Sequence, residues 1–204
     1  GNDMSLRISA LAAVAAVALA GCNYQSFPDP SLSGKDKEYM ALVPRFDVDR
    51  NYLRYRIDDP TGEAPGTIVV DTKSNYLYFV EPGRKAIRYG VASGTEAAGW
   101  TGVATVGGKQ EWPRWHPPAD MLQRWPHLKP TADAGGLPGG PDNPLGARAL
   151  YLHQGGKDTL YRIHGTNEPE TIGRGASSGC IRMTNVDAID LYSRVKIGAK
   201  VIVR

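Results

Sequence analysis

Two residues set 16 positions apart carry the chemistry for which this chain can be read: His164, ending the strand-like run Leu160-Tyr161-Arg162-Ile163, and Cys180, following Ser177-Ser178-Gly179. A neutral thiol is a weak nucleophile, and a nearby imidazole can take its proton. The small residues before Cys180 allow a tight turn, from which the amides of Gly179 and Cys180 could face a developing oxyanion. Between the two lie mostly Gly, Thr, Asn, Glu, Pro and Ser, a loop composition, and catalytic groups commonly sit on loops carried by a rigid scaffold. A buried structural cysteine remains an equal reading of these residues taken alone. Of the other histidines, His116 and His127 are flanked by prolines and read as packing or surface groups, while His153 stays open between a packing and a functional role. No CxxC or HExxH spacing occurs, so neither a metal nor a cofactor is expected.

The elements that must position this pair read as mainly β. Thr67–Asp71 and Tyr76–Val80 are β-branched and aromatic runs joined by Lys73-Ser74-Asn75, a hairpin signature. Further strands are predicted at Ala86–Ala92, Thr101–Val106, Ala147–His153, Leu160–His164 and Lys200–Val203. Asn185 reads as a helix N-cap, Ala188, Leu191, Tyr192 and Val195 repeat at helical spacing, and Gly198 ends the helix after about Lys196. From Trp112 to Pro144 the chain is broken by prolines and cannot stay regular for long; its tryptophans Trp112, Trp115 and Trp125 favour an ordered insert, a lid or wall. The expected architecture is a β-sandwich with one or two short helices and a long irregular insert.

The first residues read differently. Arg7 precedes an apolar run, Ile8 to Ala20, with signal-peptide proportions, and Leu19-Ala20-Gly21-Cys22 resembles a bacterial lipobox. Residues 1–22 are therefore expected to be an export signal ending at Cys22, whose sulfur would carry lipid and tie the protein to a membrane in the periplasm or cell envelope. Residues 23–66 read as a linker or accessory segment, with a short helix at Tyr39–Val43 and a lead-in strand at Tyr52–Ile57, and 67–204 as the catalytic domain. The 204 residues carry a formal net charge of only +3 with no run of like charge, which gives no reason to expect nucleic acid.

Taken together, His164-Gly165-Thr166, Ser177, Gly179-Cys180-Ile181-Arg182-Met183, Asn185, the Asn143-Pro144-Leu145-Gly146 and Ile172-Gly173 segments and the ending Asp190-Leu191-Tyr192 through Val201 strongly resemble the L,D-transpeptidase (YkuD-type) catalytic domain. The resemblance implies an acyl transfer on peptidoglycan stem peptides: Cys180 attacks a tetrapeptide donor, D-alanine leaves, and an amine acceptor resolves the thioester. It implies His164 as base, the Gly165 carbonyl orienting its ring, the Gly179 and Cys180 amides as oxyanion hole, and β-lactams of the carbapenem type as possible inhibitors. Arg182, Ser177, Ser178 and Asn167 become candidates for substrate contacts, with Trp112 and Trp115 as walls of the donor groove; Tyr151 reads rather as core packing, and Arg182 equally as a structural ion pair. Ser178 stands where many members have His, which leaves the acid-base work to His164. Two other activities stay open: an L,D-carboxypeptidase or endopeptidase using the same Cys180 with water as acceptor, and a lipid-anchored peptidoglycan-binding protein that no longer uses it.

Overall fold

The computed structural model describes residues 24–94, 99–176 and 180–204. Helix α1 (Gly34–Met40) precedes strands β1 (Tyr55–Asp58), β2 (Ile68–Asp71), β3 (Tyr76–Glu81), β4 (Lys85–Gly90), β5 (Ser93–Gly94) and β6 (Gly102–Glu111). Two short helices, α2 (Ala119–Arg124) and α3 (Lys129–Asp133), lead to β7 (Arg148–Gln154), β8 (Lys157–His164), β9 (Gly175–Ala176), β10 (Ile181–Arg182), α4 (Asn185–Arg194) and β11 (Lys200–Val203). Nine strands form one sheet in the order β1-β4-β3-β2-β11-β6-β7-β8-β10, and β5 pairs with β9 in a separate parallel ladder. The fold is mainly β, as the strand runs predict. Among the described residues no helix is long and apolar enough to cross a membrane.

The sheet curls back so that β10 reaches the chain beyond β4. Beyond β10, Arg182 exchanges both main-chain hydrogen bonds with Ala92, on the chain that continues β4, at 2.8 and 2.9 Å. The curl lets both halves bury their apolar faces in one core: Ile68, Leu77, Ile87 and Tyr89 from one half meet Leu150, Leu152, Ile163 and Ile181 from the other, with Leu191 of α4. Burial of such a face is the main stabilising term, roughly 1.5–3 kcal/mol for each fully buried large aliphatic side chain. Because strand side chains alternate, the residues between these apolar positions point to the opposite face of β7, β8 and β10. Tyr151, Arg162, His164 and Arg182 share that outer face by register: Tyr151 pairs with Arg162, Ala149 with His164, and His164 with Arg182.

Several sequence expectations are corrected. The N-terminal helix lies at Gly34–Met40 rather than Tyr39–Val43, because Tyr39 and Met40 dock as its last turn beside Trp112 and Ile189. The insert contains α2 and α3, each of one to two turns, with prolines tolerated at their starts. Helix α4 is capped by Thr184, whose hydroxyl accepts the Asp187 amide at 3.3 Å, and it ends at Arg194. Asn185 is therefore its first residue and not its cap. Residues 24–66 are packed against the sheet and α4: β1 pairs with β4, Gln25 bridges Arg56, and the buried Arg54 ion-pairs with Asp187 of α4 at 2.6 Å.

Candidate active site

His164 closes β8, and Cys180 immediately precedes β10, which runs parallel to β8. Ile181 lies opposite Ile163 and Arg182 opposite His164, so Cys180 stands beside Arg162, two positions before the level of the imidazole. Period-two alternation puts the thiol and the imidazole on the same outer face. Cys180 is half-buried and His164 is buried.

The imidazole is oriented by its own neighbour. His164 Nδ1 lies 2.5 Å from the Gly165 carbonyl oxygen. A carbonyl only accepts, so Nδ1 carries the hydrogen and Nε2 keeps its lone pair free. The backbone there is held on both sides: Gly165 N–H donates to the Arg148 carbonyl at 2.9 Å, and Met183 N–H donates to the His164 carbonyl at 2.8 Å.

Burial dominates the electrostatics. It lowers the imidazole to about 4; the Gly165 carbonyl opposes this, and the Arg182 and Arg162 charges add to it. Burial also raises the Cys180 thiol, opposed by a main-chain hydrogen bond from Arg162 and the charges of Arg162 and Arg182. Both groups are thus neutral at rest near pH 7. Such a pair can move the thiol proton onto Nε2 as sulfur attacks, instead of storing a thiolate beforehand.

The surrounding charges are themselves tethered. Arg162 lies 4.6 Å over the Tyr151 ring and forks onto Asp158 at 2.6 and 2.9 Å. Arg182 meets Glu168 at 3.3 Å, and the Glu168 amide donates to Thr166 Oγ1 at 2.9 Å. The structure thus gives Arg182 its ion pair and leaves it partly exposed. Tyr151, expected in the core, is half-buried on the face of His164, because the residues that enter the core from β7 are Leu150 and Leu152.

The remaining candidates separate. Trp112 is buried with Tyr39, Ala147 and Ile189, and its indole N–H donates to Asp36 at 2.8 Å. Trp115 pins the base of the insert through two main-chain hydrogen bonds with Leu137, at 2.9 and 2.7 Å. Asn167 donates its amide to the Asp142 carbonyl at 3.1 Å. His153 packs over Gly107, where a Cβ would stand 2.2 Å from its ring. Ser177, Ser178, Gly179 and Cys22 lie outside the described residues.

Three residues make contacts that sequence reasoning did not assign, although Asn143 and Asn185 lie in the motifs that carry the family resemblance. Alternation along Tyr161-Arg162-Ile163-His164 would have found Arg162. Asn143 is buried and clasps the insert, donating to the carbonyls of Pro113, Leu137 and Pro138, each at 3.1 Å, and accepting from Leu145 N–H at 2.8 Å. Asn185 looks like a cap in sequence, and nothing there signals the contacts it makes. Beside the site, a cavity of about 1050 Å³ opens between residues 26–55 and the Thr166, Pro169 and Thr184–Asp187 wall; neither His164 nor Cys180 lines it.

With this geometry in place, the comparisons decide the family. The YkuD L,D-transpeptidase catalytic domain model matches residues 65–203. The chain belongs to the L,D-transpeptidase catalytic domain family. It is 34% identical over 139 residues to the probable L,D-transpeptidase ErfK/SrfK of Escherichia coli, a match spanning 66% of this chain and 42% of that protein. The chain thus spans less than half the length of this curated relative. A solved structure from Brucella melitensis, described as a probable carnitine operon oxidoreductase, is 48% identical with TM-score 0.53, covering 77% of this chain and 96% of that one. An L,D-transpeptidase from Mycobacterium smegmatis shares the fold at 17% identity and TM-score 0.50, covering 68% of this chain and 58% of that one.

Proposed function

We propose that this L,D-transpeptidase family member is an exported acyltransferase that acts on peptidoglycan stem peptides through a Cys180 thioester. The observation that carries the reading is the His164 ring, locked through Nδ1 onto the Gly165 carbonyl with Nε2 left as acceptor on the face that Cys180 shares. In the first half-reaction Cys180 Sγ attacks the carbonyl of the L-centred residue of a tetrapeptide donor. His164 Nε2 takes the thiol proton and passes it to the departing D-alanine amine, in the two roles a triad histidine plays. In the second, an acceptor amine attacks the thioester, Nε2 takes its proton, and the thiol is regenerated. The amides of Gly179 and Cys180 bind the tetrahedral oxyanion. Arg162 and Arg182 supply positive charge beside the sulfur and suit a donor carboxylate.

Export and lipid attachment at Cys22 in the cell envelope belong to the same proposal and rest on the lipobox-like order of residues 7–22. Intact mass of the mature protein tests them: a start at Cys22 with added acyl mass is expected, and a start elsewhere without it would end the anchor reading.

The activity is tested by mass spectrometry of products from a disaccharide-tetrapeptide. Dimers joined through third-position residues are expected, together with stoichiometric acylation by a carbapenem, whose strained ring a cysteine thiolate opens. Tripeptide alone would make the protein a carboxypeptidase. Absence of both products would overturn the reading in favour of a binding protein.

A further inference from the structure

The first turn of α4 and the two glycine segments facing it contain a hydrogen-bond chain that ends on the His164 ring. Asn185 is buried, and its Oδ1 accepts two main-chain hydrogen bonds, from Ala147 N–H at 2.9 Å and from Thr166 N–H at 3.1 Å. The second matters for chemistry. Thr166 N–H and the Gly165 carbonyl belong to one peptide unit. A trans peptide is planar, with its N–H and C=O pointing in opposite directions. Aiming the N–H at Asn185 therefore aims the C=O the other way, where His164 Nδ1 donates to it. Each bond in such a series polarises the next.

We infer that Asn185 is a positioning residue for the reaction: its side-chain oxygen fixes the Gly165–Thr166 peptide plane, and through that plane the orientation and tautomer of His164. The inference rests on the reading of His164 as the base.

Close packing supports it. A Cβ at Gly165 would lie 2.2 Å from Asn185 Oδ1, and one at Gly146 would lie 2.1 Å from it. Both glycines are needed for the oxygen to reach the backbone, and a glycine at 165 leaves the plane free to rotate unless something holds it. The other half of the amide is idle: among the described residues Asn185 Nδ2 is buried without a hydrogen-bond partner. An idle buried donor costs stability. A carboxylate would put a second buried, unpaired acceptor in place of that donor, and it would set a negative charge one peptide unit from a buried imidazole that works as a neutral base. The amide supplies the acceptor without the charge. The insert joins the same chain, since Asn143 holds Leu145 two residues before Ala147.

The test is ¹⁵N NMR of His164 in the purified protein, alongside the rate at which iodoacetamide alkylates Cys180. In the wild type a single Nδ1–H tautomer is expected. In Asn185→Ala a mixture of tautomers is expected, with alkylation at pH 7 slowed at least about tenfold, the scale of a lost general-base alignment. Asn185→Asp keeps the acceptor oxygen and is the second variant should Asn185→Ala not fold; it should retain the Nδ1–H tautomer and, where its carboxylate is ionised, raise the imidazole titration by about one unit, as a nearby carboxylate does. A folded Asn185→Ala with one unchanged tautomer and alkylation within about twofold of wild type would overturn the inference. So would a mixture of tautomers in a folded Asn185→Asp, which keeps the acceptor. His164→Ala serves as the separate control: if it leaves alkylation unchanged, the base assignment fails, whereas the tautomer readout tests Asn185 independently.

Discussion

Two buried polar clusters flank the first turns of α4, and they are built from opposite materials. On one side Asn185 meets Ala147, Thr166 and, through one peptide unit, His164, with no formal charge on the asparagine. On the other, Arg54 reaches Asp187 at 2.6 Å, Asp29 at 2.8 Å and Asp190 at 3.9 Å, while Tyr89 O–H donates to Asp190 at 2.6 Å and Arg194 forks onto it at 3.1 and 3.2 Å. The residues at the head of each cluster are two positions apart, yet one side reaches the His164 ring and the other is a seam of ion pairs. The charges nearest His164 and Cys180 are the arginines 162 and 182, which favour a neutral imidazole and an ionised sulfur. The buried carboxylates stand against Arg54, where they anchor residues 24–66 to α4. The neutral side meets the proposed base, and the charged side joins residues 24–66 to α4.

The strongest way to break this division is Arg54→Ala. It leaves Asp187 buried without its partner and is expected to cost about 3–5 kcal/mol of stability, read from urea unfolding, while activity per folded molecule stays within about threefold. An activity loss larger than the folded fraction explains would join the two clusters into one functional unit.

Acid unfolding sharpens the contrast. His164 is lowered to about 4 in the fold from an ordinary value of 6.5, so the unfolded chain binds the extra proton between those values. Its contribution to stability is present above pH 6.5 and is lost as pH falls toward 4. Asp187 has the opposite sign: burial raises it to about 6 against 3.8, so the folded chain binds the extra proton and stability falls as pH rises through that interval. The two largely offset each other in the wild type. Urea midpoints between pH 4 and 6.5 should therefore climb more steeply with pH in Asp187→Asn than in wild type, and should flatten or fall in His164→Gln. Matching slopes in all three proteins would contradict the opposed signs.

Arg162→Gln is the smallest expected effect. Removing one of two positive charges beside Cys180 should move the alkylation profile to higher pH, by less than about one unit. No upward movement would mean that the guanidinium, already forked onto Asp158, does not act on the sulfur.

Much of this was legible in the sequence, and what was missed has physical reasons. The β-branched runs of β2, β3 and β11 and the helical spacing of Ala188, Leu191 and Tyr192 declare themselves locally. The His-Gly-Thr and Gly-Cys pieces name the family. Strand β10, two residues long, has no period to detect. Helices α2 and α3 hide among prolines that also start helices. The burial of Trp112 is not visible locally because its partners, Asp36 and Tyr39, come from a segment more than 70 positions away. The Arg54–Asp187 pair spans 133 positions. Asn185 was misassigned because Asn and Thr are both good caps, and only the fold shows that Thr184 takes that role.

The most direct test of the account is rapid-quench intact mass of wild type and His164→Ala after mixing with a tetrapeptide donor. The account predicts a Cys180 thioester of the tripeptide in the wild type and its formation slowed at least about a hundredfold in the variant. A thioester formed as fast without the imidazole would contradict it.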